Sequence, residues 1–168
     1  MTKASTLILN EKQVFQKIKR IAYEIYEKNY QEKKLIIAGI PESGYLLAEH
    51  IIRELKEISP LELHLIKVIV NKENPAADEV SIDCNIKLLK KSTLVLVDDV
   101  LHTGRTFLHS LKPIIEADVK KVQTAVLIDR GHCMFPISSD FTGYELSTTL
   151  NEHVEVVLKK GKEGVYLY

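Results

Sequence analysis

The sequence predicts an α/β fold, a parallel β-sheet flanked by helices, and three observations carry that prediction. Apolar, β-rich runs alternate with stretches of helical period along most of the 168 residues. Two of those runs, Leu35-Ile36-Ile37-Ala38-Gly39 and Leu94-Val95-Leu96-Val97, are continuously apolar, as strands covered on both faces must be. Each leads through a short polar turn into a helical pattern, the strand-turn-helix order of a βα unit.

Taken in order, the first element is a helix over residues 10–28. Val14, Ile18, Ile21 and Ile25 recur at steps of four, three and four, and Asn10 stands ahead of them as N-cap. The run Leu35–Gly39 is the first strand, and Gly44–Ile58 the second helix. Leu61–Val70 is a second strand. Asn71 to Asp78 holds Pro and Asn breakers without apolar period and is expected to be a mobile loop. A short strand is expected near Ile86–Leu89, then a strand over Leu94–Asp98, a helix from about Arg105 to Ala117, and a strand over Val122–Ile128. Pro113 should kink or shorten the third helix. Short β-like pieces near Gly143–Leu146, Val154–Leu158 and Val165–Tyr168 close the chain.

Composition bounds what such a chain can do. Lys plus Arg and Asp plus Glu each total 23, so no whole-surface attraction to nucleic acid is expected. Cys84 and Cys133 lack the spacing of a disulfide framework or a structural zinc site and should be free thiols. No apolar run reaches membrane-spanning length, and Met1-Thr2-Lys3-Ala4-Ser5 carries no signal-peptide core, so a cytoplasmic protein without a membrane role is expected. The length fits one domain over residues 1–168.

The chemistry concentrates after Leu94–Val97, where the strand feeds into Asp98-Asp99 and then His102-Thr103-Gly104-Arg105-Thr106. Burying adjacent carboxylates at the end of a central strand is unfavourable unless something pairs with them. There they face the crevice where open α/β folds bind ligands, and they can accept hydrogen bonds from vicinal hydroxyls. Gly104 lets backbone approach a ligand, Thr103 and Thr106 offer hydroxyls, and the helix start offers free N–H groups to a phosphate. The GxxxxGK[ST] spacing is absent, which excludes an ordinary P-loop.

This segment resembles the signature of the type I phosphoribosyltransferases, which bind phosphoribosyl pyrophosphate. The run Ala125-Val126-Leu127-Ile128-Asp129-Arg130-Gly131-His132, with Pro136-Ile137 and Asp140-Phe141-Thr142-Gly143, is similar to the branch of bifunctional pyrimidine-operon attenuation regulators and uracil phosphoribosyltransferases. The resemblance runs from Leu7 to about Val157. It implies the type I fold with a small hood from the chain ends, and magnesium carried by the ligand rather than held directly. It implies that Asp98 and Asp99 hold the ribose hydroxyls and that Thr103, Gly104, Arg105 and Thr106 wrap the 5-phosphate, with His102 beside them as a catalytic candidate. Asp129, Arg130, Phe141 and Thr142 become candidates for the base, Phe141 by stacking. Related 6-oxopurine transferases have Asp at the position of His102 and Lys at that of Asp129, so the chain leans toward uracil.

Two departures bear on activity. Pro41-Glu42-Ser43-Gly44 stands where the family's pyrophosphate loop has a basic residue, placing a carboxylate near a polyanion. Asn71 and Lys72 open the mobile loop where relatives carry Tyr-Arg. The reading is therefore a transferase that joins phosphoribosyl pyrophosphate to a nucleobase, with an alternative of an RNA-binding attenuator or nucleoside monophosphate sensor of weak or no turnover. Residues 10–34 hold seven Lys or Arg against four Asp or Glu, Lys12, Lys19 and Arg20 among them, which is the feature that would favour RNA. Tyr23 stands where RNA-binding relatives have His. A dimer or higher homo-oligomer is expected from the resemblance.

Overall fold

A computed structural model describes residues 5–168; the leader-free reading of Met1–Ser5 therefore lies almost wholly outside the described residues. The chain begins with β1 (Thr6–Asn10) and α1 (Glu11–Asn29), followed by β2 (Lys34–Gly39), α2 (Ser43–Ile58) and β3 (Glu62–Ile69). Next come β4 (Ser81–Ile82), β5 (Thr93–Leu101), α3 (Arg105–Glu116), β6 (Lys121–Asp129), β7 (Phe141–Glu145), β8 (Val154–Val157) and β9 (Gly164–Leu167). Six strands form one sheet in the order β4-β3-β2-β5-β6-β7, parallel except for the edge strand β4. The chain ends form a second, antiparallel sheet in the order β1-β9-β8, which is the expected hood.

The continuous apolar strands do what a doubly covered sheet requires. Ile37, Val95, Val97, Ala125 and Leu127 turn toward α1 and α2, while Ile36, Ala38, Leu94, Leu96 and Val126 turn toward α3 with Phe107, Ile114 and Leu89. The alternation is the period of two intrinsic to a strand. Helix α1 buries the predicted stripe of Val14, Ile18, Ile21 and Ile25. Asn10 caps it by accepting from the Gln13 N–H at 3.0 Å, and the Gln13 side chain accepts the Asn10 N–H at 2.9 Å, a reciprocal capping box. Helix α2 stops at Ser59, ahead of Pro60, with the Ser59 N–H and hydroxyl both donating to the Leu55 carbonyl. No helix among the described residues is long and apolar enough to cross a membrane.

Three expectations change. Ile86–Leu88 is a single 3-10 turn, not a strand: the Asn85 side chain accepts the Lys87 N–H at 3.0 Å and bends the backbone, and the extended pairing falls to Ser81–Ile82 instead. β1 precedes the first helix and pairs only with β9 at the far end of the chain, so no local pattern announces it. Pro113 remains inside α3, buried, and the helix continues to Glu116 before Asp118 takes a left-handed conformation. Cys84 and Cys133 are free thiols.

Candidate active site

The strand order fixes where a ligand can sit. β2 is followed by α2 and then by β3 on one side, whereas β5, on the other side of β2, is followed by α3 and β6. The connections diverge between β2 and β5, so a crevice opens at their carboxyl ends. β2 pairs with β5 only as far as Gly39 opposite Val97, while β5 runs on past the expected Asp98 to Leu101, paired with β6. Asp98 and Asp99 thus stand in the crevice on rigid strand backbone.

The helices on either side present their amino ends to the same place. At α2, Gly44 packs against β5 so closely that an added Cβ would meet Asp98 Oδ1 at 2.6 Å and Asp98 Cα at 2.8 Å. No other side chain allows the Pro41–Gly44 turn to lie against the acid. At α3 the N-cap is Gly104, at φ +81°, and no side chain caps the helix. The Leu108 N–H is bonded to the Gly104 carbonyl, so the amides of the first turn ahead of it point out of the helix end. Thr103 Oγ1 accepts the Arg105 N–H at 3.3 Å, and the Thr103 carbonyl accepts the Met134 and Phe135 N–H groups, tying the loop to the segment after β6. A cavity of about 210 Å³ lies here, lined by Asp98, His102, Thr103, Gly104, Arg105 and Thr106 among others.

Lys72 occupies the acids. Its Nζ donates to Asp98 Oδ1 at 2.7 Å and lies 3.4 Å from Asp99 Oδ1, with the Lys72 side chain 35% exposed. Burial, and secondarily the Asp99 carboxylate, push the Asp98 carboxyl well above the usual range against the pull of Lys72. Burial also opposes the charge on Lys72, but the two carboxylates outweigh it and the ammonium titrates above an ordinary lysine. Asp98 Oδ1 additionally accepts the Asp99 N–H at 2.9 Å. Glu42 is exposed, and Pro41, Glu42 and Ser43 line a cavity of about 470 Å³ with Val70, Asn71 and Lys72, which places the turn against the opening of the 71–78 loop.

The candidate base residues separate. Phe141 is 2% exposed at the amino end of β7, opposite Ala125, packed in the α1–α2 core; it is at the wrong end of the sheet to stack on a ligand in the crevice. Thr142 pairs with Val126, and its carbonyl accepts from Arg20, which also donates to the Gly143 carbonyl and pairs with Glu24. The structure places both in core and strand and does not bring them into the cavities lined by Asp98. Asp129 accepts the Gly131 N–H and lines a cavity of about 290 Å³ with Arg130 and Glu145–Ser147. Arg130 is 5% exposed and spends its guanidinium on Thr148 Oγ1 and on the carbonyls of Thr149 and Glu152.

A further cavity of about 360 Å³ joins the acids to the hood: Asp98, Asp99, Val100, His102, Arg130, His153 and Val154 line it with Lys72 and Thr106. His102 also lies edge-on to His132, with ring centroids 6.2 Å apart. Burial first, then the Arg130 guanidinium and the neighbouring His132 and His153 side chains, hold the His102 imidazole below its usual pKa. Nothing in the sequence pointed to His153, an exposed polar residue in a loop whose position depends on the hood pairing.

A switch-point crevice holding two adjacent acids between two uncapped helix starts is the arrangement of an α/β ligand-binding site. The chain belongs to the phosphoribosyl transferase domain family, matched over residues 5–159. It is 36% identical to the bifunctional protein PyrR of Fusobacterium nucleatum, over 96% of each chain. To the bifunctional protein PyrR of Clostridium beijerinckii it is 33% identical, over 99% of this chain and 98% of the relative. The hypoxanthine phosphoribosyltransferase of Trypanosoma cruzi superposes with a TM-score of 0.81 over 96% of this chain and 95% of that one, at 13% identity, a likeness of fold alone.

Proposed function

We propose that the protein binds phosphoribosyl pyrophosphate with magnesium and transfers ribose 5-phosphate to uracil, giving UMP and pyrophosphate. The observation that carries this reading is the pair Asp98 and Asp99 on β5, set between the open amino ends of α2 and α3. The acids take the ribose hydroxyls, the first turn of α3 with Thr103 and Thr106 takes the 5-phosphate, and the turn at Pro41–Gly44 takes pyrophosphate. A bond forms between the base ring nitrogen and the anomeric carbon as the bond to pyrophosphate breaks, its electron pair leaving with the pyrophosphate. Positive charge develops on the ribose, and the Asp98 and Asp99 carboxylates lie beside it. His102, kept neutral by its surroundings, is the group placed to accept the proton that the base nitrogen sheds.

Magnesium fits this donor set as a guest of the ligand. Carboxylate oxygens are the hard ligands it prefers, and among the described residues no cluster of three acidic, His or Cys side chains forms around them to hold it alone. Bound, it would neutralise charge on the pyrophosphate.

Glu42 favours a second reading, a nucleotide sensor of weak turnover that acts as an RNA-binding attenuator, the kind of regulator that the resemblance of the Asp129–His132 run implies. The turn offers no basic side chain of its own, and Lys72, the cation lining the same cavity, is engaged with Asp98. For RNA, Lys12 and Lys19 are exposed, but Arg20 is held on the β7 carbonyls. Incubation with labelled uracil, phosphoribosyl pyrophosphate and magnesium separates the two. Formation of UMP supports the transferase; UMP binding without UMP formation supports the sensor. RNA binding that does not weaken from low to moderate salt would rule out a phosphate-contact surface on α1.

A further inference from the structure

A cavity of about 590 Å³ lies apart from the crevice, between α1, α2 and the turn that joins β8 to β9. It shares no lining residue with the cavities formed by Asp98, Lys72 and the Pro41–Gly44 turn. The reaction outlined above leaves it without a role, although its volume is one that encloses small organic ligands.

Phe15 and Ile18 of α1, Leu46 of α2 and Leu158 after β8 give the cavity an apolar surface. The His50 ring stands edge-on to Phe15, with ring centroids 5.3 Å apart. The charged groups are unevenly placed: Glu49 and Glu54 of α2 and Glu163 of the hood turn are half-buried, whereas Arg53 and Lys160 are exposed. Among the described residues, none of these five side chains joins an ion pair. Glu163 Oε2 is sealed from solvent and has no hydrogen-bond partner. A carboxylate oxygen in that state is unfavourable until a donor reaches it. Burial first, then the Arg53 guanidinium, hold His50 below its usual pKa against the pull of Glu163, Glu49 and Glu54. Its neutral imidazole has a ring nitrogen that can accept a hydrogen bond.

We propose that this cavity binds a small amphipathic organic cation, an ammonium or amidinium carried on an aromatic or aliphatic body. The body packs on Phe15, Ile18, Leu46 and Leu158, and the N–H groups of the cation reach Glu163 Oε2 and His50. Charge decides against an anion: its partners, Arg53 and Lys160, stand in water, where an ion pair contributes little, while the carboxylates stand deeper. A cation instead supplies the donor that Glu163 lacks, in a charge-assisted bond shielded from solvent. The site is independent of the ribose-phosphate reading of the crevice.

The test is an NMR titration of the full chain with 2-phenylethylamine, beside 2-phenylethanol and 3-phenylpropionate as its neutral and anionic analogues. A fragment of this size is expected to bind with a Kd on the order of 1 mM. The amine should shift the His50 imidazole and the surrounding α2 amides saturably, and bind about tenfold more tightly than the alcohol. The propionate should bind no better than the alcohol. Glu163→Gln keeps the shape and removes the charge, so it should erase most of that tenfold advantage and leave the alcohol within about twofold of its wild-type affinity. The comparison of amine with alcohol needs no variant. An alcohol that binds as tightly as the amine, an amine unaffected by Glu163→Gln, or no saturable shift at His50 overturns the assignment. Shifts centred on His102 would place the amine on Asp98 and Asp99 and overturn it equally.

Discussion

Gly44→Ala sets two physical effects against each other with opposite signs. Gly44 is the second residue of α2, and in an exposed helix alanine would be favoured over glycine by about 1 kcal/mol. Here the new methyl would stand 2.6 Å from Asp98 Oδ1 and 2.8 Å from Asp98 Cα, against ordinary contacts of 3.4–4 Å. The amino end of α2 and β5 must separate by roughly 1 Å, and overpacking of that kind destabilises by about 1–3 kcal/mol. At about 2 kcal/mol the melting temperature of a chain this size falls by about 4–8 °C. The same shift moves the Pro41–Gly44 turn, which we propose takes pyrophosphate, relative to the acids, and misplacement by about 1 Å weakens catalysis by about a hundredfold. Thermal melting followed by circular dichroism and a parallel turnover assay read both effects. A melting temperature that rises, with turnover unchanged, would refute the close approach of α2 to Asp98.

Three other substitutions probe the charges. Lys72→Ala should tighten UMP binding by up to about fivefold in a fluorescence titration, since a partly exposed pair contributes about 1 kcal/mol or less and the ribose hydroxyls no longer displace the ammonium; weaker binding would mean that Lys72 holds the nucleotide instead. Asp98→Asn should raise stability by about 1–2 kcal/mol while weakening UMP binding at least about tenfold, the trade expected when a functional charge is buried. The pH dependence follows from sign: burial raises the native Asp98 pKa above its ordinary 3.8, so the native state keeps a proton that the unfolded chain releases. Asp98 therefore lowers stability progressively as pH rises from about 3.8 through its raised native pKa, and urea melts across that window should lose this slope in Asp98→Asn. Glu42→Arg should lower the KM for phosphoribosyl pyrophosphate several-fold by replacing repulsion with attraction at the turn; an unchanged KM would place pyrophosphate elsewhere.

Most of the sheet was legible because its residues answer to local rules. Leu35–Gly39 and Leu94–Val97 read as doubly covered strands, and Val14, Ile18, Ile21 and Ile25 read as one helix face. The placement of Asp98-Asp99 and of the His102–Thr106 turn was legible for the same reason, each being a local motif in strand-turn-helix order. What escaped depends on distant pairing. β1 exists only through β9, and His153 reaches the crevice only because β8 joins that hood and Arg130 clasps the loop before it. Phe141 was ambiguous because an aromatic beside Asp140 reads equally as a stacking platform or as core, and its burial at the amino end of β7 depends on pairing the sequence does not announce. The contact of Lys72 with both acids was likewise invisible, since a loop lysine carries no pattern that names its partner.

A crystal structure with UMP tests the central claim most directly. The account predicts the 5-phosphate within hydrogen-bonding distance of the amides of Thr103–Thr106, the ribose hydroxyls on Asp98 and Asp99, and Lys72 displaced from both carboxylates. UMP bound with its phosphate away from the α3 amino end, or with Lys72 still on Asp98, would contradict it.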